Sequence, residues 1–165
     1  MRAVICVDKE QALLVKEAPM PQAGPGEVIV KINAAAFNHR DWWIQNGMYA
    51  GLRYPIILGS DGSGVVHAVH DHVDSFWVGK EVIINPGMHW GNDPAYHASS
   101  FKILGLPDDG TFAEYVKVPA SALYPKPAYL SHTAAAAIPL AGLTGYRALF
   151  TKGQVKKGSK VLITG

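Results

Sequence analysis

The residues of this sequence that could do chemistry lie in two short polar segments. The first carries Asn38, Asp41 and Tyr49, and the second carries Ser60 and Asp61. An asparagine amide both donates and accepts hydrogen bonds, and a tyrosine offers a hydroxyl donor beside an aromatic wall. These groups could bind a carbonyl compound, so both segments hold candidate functional residues.

Residues in these segments also have purely structural interpretations. Asn38 could cap a helix, and Asp41 could form an ion pair with Arg40 or Arg53. The neighbouring Trp42 or Trp43 could be buried in the core. The residue types alone leave both interpretations open.

A metal site has little support in the sequence. The single cysteine, Cys6, excludes an internal disulfide and any zinc site with several cysteines, and we expect it to pack in a strand as a small apolar residue. Several histidines lie close together in the sequence, namely His67, His70, His72, His89 and His97. Because they lack carboxylate or cysteine partners at ligand spacing, we predict that they bind no metal.

Composition excludes several classes of protein. The 165 residues are 48% hydrophobic and 17% charged, with a net charge of +2 that is spread along the chain. Basic runs that would bind nucleic acid are absent, and no stretch approaches the roughly 18 apolar residues of a membrane span. The apolar run Ala3–Val7 is too short for the core of a signal peptide. We therefore expect a cytoplasmic protein that binds neither nucleic acid nor membrane.

Glycine and proline separate short runs of β-branched residues, which is typical of a β-rich domain. Ala3–Val7 and Leu13–Lys16 flank a polar stretch and predict a hairpin. In the next strand, Val28, Val30 and Ile32 share one face. Further strands are predicted at Gly62–His70, Glu81–Asn85 and Phe112–Val118. This spacing of short strands predicts a barrel or a sandwich.

Helices are predicted in two places. Asn38–Gln45 has the pattern of one short helix. A second helix begins near His132, where Ser131 can cap it, and Pro139 kinks or restarts it. The restarted part, Leu140–Phe150, is a strong helix former.

The end of the sequence has a different pattern. Lys160–Thr164 is predicted to be a strand that runs directly into Gly165. A strand that leads into a glycine is how a dinucleotide-binding βαβ unit begins.

Six segments together carry a family resemblance. They are Gly24–Val28, Ala34–Asp41, Pro55–Val66, Gly110–Tyr115, Ile138–Leu149 and Lys160–Gly165. The set resembles the medium-chain dehydrogenase/reductase superfamily. The resemblance implies a mainly β chain in which residues 1–125 form a GroES-like, partly open β-barrel with short helices, the catalytic domain. Residues 126–165 would hold the connecting helices and first strand of a truncated Rossmann α/β domain, so the sequence looks like an N-terminal fragment.

The zinc-binding positions of that superfamily have changed in this sequence. Its zinc enzymes hold the catalytic metal through a cysteine, a histidine and a second cysteine. The corresponding residues are Asn38, Ser60 and Leu140. Residues 85–105 also contain no cysteine, so the four-cysteine structural lobe is missing. The resemblance therefore points to the zinc-independent branch, which includes quinone oxidoreductases and enone reductases.

The resemblance also assigns roles to individual residues. Asn38, Asp41 and Tyr49 would be catalytic, with Trp43, Ser60 and Asp61 in the substrate pocket. Asn38, Thr144 and Gly165 would contact the cofactor, with NADP(H) favoured over NAD(H) and bound mainly by a part beyond this chain. Thr144 has a structural alternative, since helical threonines commonly bond a carbonyl one turn back.

The function implied by the resemblance is hydride transfer to a small-molecule quinone, enone or similar activated carbonyl without zinc, in a full-length homodimer. This chain alone would be inactive. Two alternatives stay open: a zinc-type alcohol dehydrogenase with displaced ligands, and a non-catalytic binding module on the same barrel.

Overall fold

In the described residues, ten strands in three antiparallel sheets make up most of the regular structure. A computed structural model describes residues 1–9 and 11–164. The strands are β1 (Arg2–Cys6), β2 (Leu14–Glu17), β3 (Glu27–Ala36), β4 (Ile56–Ile57), β5 (Asp61–Val69), β6 (Glu81–Ile84), β7 (Gly87–Met88), β8 (Lys102–Ile103), β9 (Tyr115–Pro119) and β10 (Leu123–Pro125). They pair in the orders β2-β1-β4, β10-β6-β5-β3-β9 and β7-β8. The expectation of a mainly β chain is thereby confirmed.

A large cluster of buried apolar side chains lies on the five-stranded sheet, whose strands are stabilised by burying their alternating apolar residues. Val28 and Val30 of β3 are completely buried in one cluster with Val82 of β6 and Val116 of β9. Ile32 packs against the same cluster, so the predicted common face of β3 is confirmed.

The predicted hairpin near the N-terminus is also confirmed. β1 pairs with β2 in an antiparallel register in which Arg2 faces Glu17. Cys6 ends β1 with 0% exposure, and burial, with a smaller effect of the Asp8 charge, raises the pKa of its thiol. The thiol therefore behaves as the small apolar core residue that the sequence predicts.

β3 and β5 approach each other very closely where β5 begins. A side chain at Gly64 would overlap the backbone carbonyl of Lys31, so this crossing requires glycine. The register of this strand pair places Asp61, the first residue of β5, opposite Ala36 at the end of β3.

The predicted helices form at the predicted places. The helix α1 (His39–Gln45) follows the N-cap residue Asn38, and the helix α2 (His132–Ala136) is capped by Ser131, whose hydroxyl accepts from Ala134 N at 3.2 Å. The helix α3 (Pro139–Tyr146) starts at its proline and continues as a π-helical segment over Arg147–Lys152. Short 3-10 turns occupy Ser75–Trp77 and Ala120–Ala122. None of the helices in the described residues is long and apolar enough to span a bilayer.

The predicted strand at Lys160–Thr164 is wrong. In the described part of the chain these residues pair with no strand, and Leu162 and Ile163 are 88% and 82% exposed. A strand exists only through hydrogen bonds to a neighbour, and none of the described strands pairs with these residues. Gly165 lies outside the described residues. The domain boundary at residue 125, where β10 ends, stays a prediction.

Candidate active site

The first turn of α1 places Asn38 and Asp41 close together. The backbone N–H of Asn38 donates to Asp41 Oδ2 at 2.8 Å, so Asp41 satisfies one donor at the helix entrance. The Asn38 side chain reaches the start of β5, where its Nδ2 donates to Asp61 Oδ2 at 3.0 Å.

Asp61 joins three elements through one carboxylate. Its other oxygen, Oδ1, accepts from the backbone N–H of Leu140 at 2.9 Å. That N–H belongs to the first turn of α3 and has no partner within the helix, which makes a carboxylate favourable there. We call Asn38, Asp61 and Leu140 the Asp61 clip, because they tie α1, β5 and α3 together.

Arg40 is the buried centre of a second network. The side chain is 7% exposed, and its Nη1 donates to Ser60 Oγ at 2.6 Å and to Leu104 O at 2.7 Å. The Ser60 hydroxyl itself donates to Leu104 O at 2.7 Å. The Tyr49 ring lies under the guanidinium, with its centroid 5.2 Å from Arg40 Cζ. Ser60 and Tyr49 thus both contact Arg40, whose hydrogen bonds are shielded from solvent by its burial.

Burial shifts both carboxyls of the site in the same direction. It raises the pKa of Asp41 above its ordinary value of 3.8, against the Asn38 hydrogen bond and the Arg40 charge, which lower it. Burial also raises the pKa of Asp61, against its two hydrogen bonds, and the negative charge of Asp41 adds to the rise. Both acids therefore take up protons more readily than exposed aspartates.

Asn38 lines a cavity of about 490 Å³ with an aromatic wall. The wall contains Phe37, Trp42 and Phe112, and Asp41 also lines the cavity. Trp42 lines this cavity, whereas Trp43, which the resemblance places in the substrate pocket, does not. Trp43 is 41% exposed and meets Trp42 edge to face, with ring centroids 4.8 Å apart.

Leu140 lines a second cavity of about 380 Å³, the α3 groove. It is bounded by Asn85, Pro86, Gly87, Trp90, Pro94, Phe101, Ile103, Leu140, Leu143, Thr144 and Arg147. Thr144 is exposed into this groove. The Asp61 clip thus has one partner in each cavity, Asn38 in the first and Leu140 in the second.

A larger cavity of about 570 Å³ lies away from the predicted site residues, beside Arg53 and Asp109. Volume alone is therefore a poor guide here, because the chemistry-bearing side chains converge elsewhere. Among the described residues, no three His, Cys, Asp or Glu side chains are close enough together to hold a metal ion.

Residues 24–128 match the family profile for the alcohol dehydrogenase GroES-like domain. The chain belongs to the medium-chain dehydrogenase/reductase superfamily. It is 36% identical to a zinc-type alcohol dehydrogenase-like protein of Schizosaccharomyces pombe, with 91% of this chain and 44% of the relative covered. It is 29% identical to an acryloyl-coenzyme A reductase of Sulfurisphaera tokodaii, with 100% and 51% covered.

A crystal structure of an NAD-dependent alcohol dehydrogenase has the same fold. It superimposes with a TM-score of 0.88 and 42% identity over 96% of this chain and 49% of that protein. The chain thus spans about half the length of the medium-chain dehydrogenase/reductase relatives that it matches.

The sequence singled out these polar residues but not the contacts between them, and the roles predicted for them stay predictions. The structure joins Asn38, Asp41 and Asp61 directly, and it joins Ser60 and Tyr49 through Arg40. Residues 40, 41 and 44 are the buried residues of α1, and their helical spacing was the available signal for Arg40. The backbone N–H of Leu140 carried no signal, because its partner is far away in the sequence.

Proposed function

We propose that this chain is the N-terminal catalytic-domain portion of a pyridine-nucleotide-dependent oxidoreductase. Its substrate is a quinone, enone or similar activated carbonyl compound, which it reduces without zinc. Three further features belong to the same proposal: a preference for NADP(H), a cytoplasmic location and a homodimeric full-length protein.

The arrangement around Arg40 and Asp61 is the observation that carries the proposal. The three positions that the superfamily uses for catalytic zinc hold Asn38, Ser60 and Leu140. Ser60 Oγ lies 2.6 Å from a guanidinium nitrogen, and the Asn38 amide already donates to Asp61. A cation beside one position, an amide and a leucine do not fit a tetrahedral zinc site, so no step of the reaction is assigned to zinc.

Hydrogen bonds can replace a metal when the substrate is conjugated. When bound, the reduced nicotinamide supplies a hydride. Hydride addition to the distal carbon of an enone leaves negative charge on the carbonyl oxygen, where hydrogen-bond donors stabilise it. One N–H of the Asn38 amide is used by Asp61, and in the described residues the second has no protein acceptor. We assign this N–H to that oxygen.

The shape of the α3 groove supports a substrate with an apolar body. Leu140, Leu143, Phe101 and Ile103 line it, with Thr144 as a polar group among them. The relative named acryloyl-coenzyme A reductase acts, by its name, on an activated alkene. An alkene conjugated to a carbonyl is therefore the substrate class that we assign.

The experiment compares Asn38→Ala with Asn33→Ala in the complete reading frame that contains this chain. Asn33 is an exposed asparagine of β3, so its replacement removes the same amide outside the site. We expect the wild-type protein to reduce 2-cyclohexenone with NADPH. Asn38→Ala should lower kcat/KM about 10²- to 10³-fold, and Asn33→Ala should leave kcat/KM unchanged.

Two results would overturn the proposal. If the protein oxidises simple alcohols and a chelator abolishes that activity, the zinc-type alternative is correct. If the protein binds compounds of this class but oxidises no reduced nicotinamide with any of them, it is the non-catalytic binding module.

A further inference from the structure

One wall of the α3 groove is a compact loop, residues 89–98. The backbone N–H of Ala98 donates to Trp90 O at 2.6 Å, and the indole N–H of Trp90 donates to Asp93 O at 2.9 Å. His89 and Gly91 have positive φ values of 58° and 98°, which turn the chain sharply. The loop is thus closed on itself and presents Trp90 and Pro94 to the groove.

Arg147, at the end of α3, attaches this loop to the opposite side of the groove. Its Nη1 donates to Pro94 O at 2.8 Å and its Nη2 to Ala95 O at 2.9 Å. The guanidinium carbon also lies 4.4 Å from the centroid of the Trp90 ring. One side chain therefore holds two carbonyls and the aromatic ring of the loop.

The chemistry of arginine suits this task. The planar guanidinium presents two parallel N–H groups and stacks on an aromatic face, which a lysine ammonium cannot do together. In the described residues no carboxylate forms an ion pair with Arg147, so its donors go to the loop rather than to a surface acid. Lys152 adds a single contact, from Nζ to Ala95 O at 2.6 Å.

The wall that Arg147 holds is aromatic. The Trp90 ring meets the Phe101 ring edge to face with centroids 5.0 Å apart, and both rings line the groove. Flat apolar groups bind well against such rings.

We propose that Arg147 is a positioning residue that fixes Trp90 as the wall of the α3 groove and so selects substrates with a flat apolar group beside the activated alkene. This inference rests on the proposed function, which takes the α3 groove as the substrate site. Arg147 acts through Trp90 and does not itself touch the reacting atoms.

The first measurement is hydrogen–deuterium exchange of residues 90–98 in this chain. Arg147→Ala should raise exchange at the Ala98 amide about tenfold, because the loop then opens more often. Arg147→Lys, which keeps the charge without the fork, should also raise it. Lys157→Ala removes an exposed positive charge that does not contact the loop, and it should change nothing.

The second measurement is binding of two unreactive probes, followed by chemical-shift changes. Cinnamamide carries a phenyl group where crotonamide carries a methyl group. Arg147→Ala should raise the Kd for cinnamamide about tenfold and that for crotonamide less than twofold.

Each outcome decides a different point. Unchanged exchange in Arg147→Ala, or equal loss of both probes, overturns the inference. Another outcome is that the wild-type chain does not bind cinnamamide while exchange still rises in Arg147→Ala. In that case the α3 groove is not the substrate site, and Arg147 positions the loop for another purpose.

Discussion

At the scale of single residues, Asp61 links three elements of the candidate site. Its carboxylate is 1% exposed and accepts hydrogen bonds from Asn38 Nδ2 and from the backbone of Leu140. Both contacts need an acceptor, and a carboxylate offers two oxygens that only accept. The residue type at this position therefore controls how α1 and α3 meet at β5.

Asp61→Asn should destabilise the fold. The amide keeps the size of the side chain but has one acceptor oxygen, so either Asn38 Nδ2 or the Leu140 N–H faces another donor. We expect a loss of about 1–3 kcal/mol in the free energy of unfolding, measured with urea at neutral pH. Asp71→Asn, at an exposed aspartate, should leave it unchanged.

The effect of Asp61→Asn should also depend on pH. Burial raises the pKa of Asp61 above 3.8, so in the window above that value the folded protein binds more protons than the unfolded chain. The stability from this group is then present at low pH and is lost as pH rises through the raised pKa. Urea unfolding from about pH 4 to pH 7 should show the difference between wild type and variant shrinking. If the difference in unfolding free energy between wild type and variant grew with pH, the hydrogen bonds to Asp61 would affect its pKa more than its burial does.

At the scale of elements, α2 fastens the segment after β10 to the five-stranded sheet. It packs against β3 and β5 through Ala135 and Ala136, which are both 0% exposed. The small side chains allow the helix to lie close to the sheet, where a larger residue has no space.

Ala135→Leu should therefore disrupt this packing, while Ala134→Leu should not. Both changes add the same side chain to the same helix, but Ala134 is exposed. Overpacking at residue 135 should cost about 1–3 kcal/mol in urea unfolding, against less than about 0.5 kcal/mol at residue 134. Equal effects of the two substitutions would show that α2 is not held against the sheet in solution.

At the scale of the whole molecule, the donor sets in the described residues predict a protein without stoichiometric zinc. After dialysis the purified protein should retain no stoichiometric zinc, and a chelator should leave its unfolding free energy unchanged. Elemental analysis measures the first and urea unfolding the second, with a zinc alcohol dehydrogenase as the positive control. About one zinc retained per chain would contradict the zinc-independent proposal.

Local patterns in the sequence determined most of the elements of this protein. The hairpin β1–β2 follows from alternating residues around a polar turn, and α2 follows from the capping serine, Ser131. These signals act between near neighbours, so they can be interpreted without knowing the fold. The strands β4, β7, β8 and β10 escaped prediction because each has only two or three residues and exists only through its partner. Lys160–Thr164 failed for the same reason, since apolar residues alone do not make a strand.

For the candidate site, the sequence by itself determined which residue types were available, and the tertiary structure decided what they contact. Asn38, Asp41 and Asp61 could be singled out because their types and spacing match the pattern of the superfamily. The bond from Asp61 to Leu140 spans 79 positions, and that from Arg40 to Leu104 spans 64. Such contacts depend on sheet register and helix placement, and the burial that raises the pKa of Asp61 depends on every element around it. Only the folded chain brings these together, because hydrogen-bond geometry and desolvation are properties of positions in space.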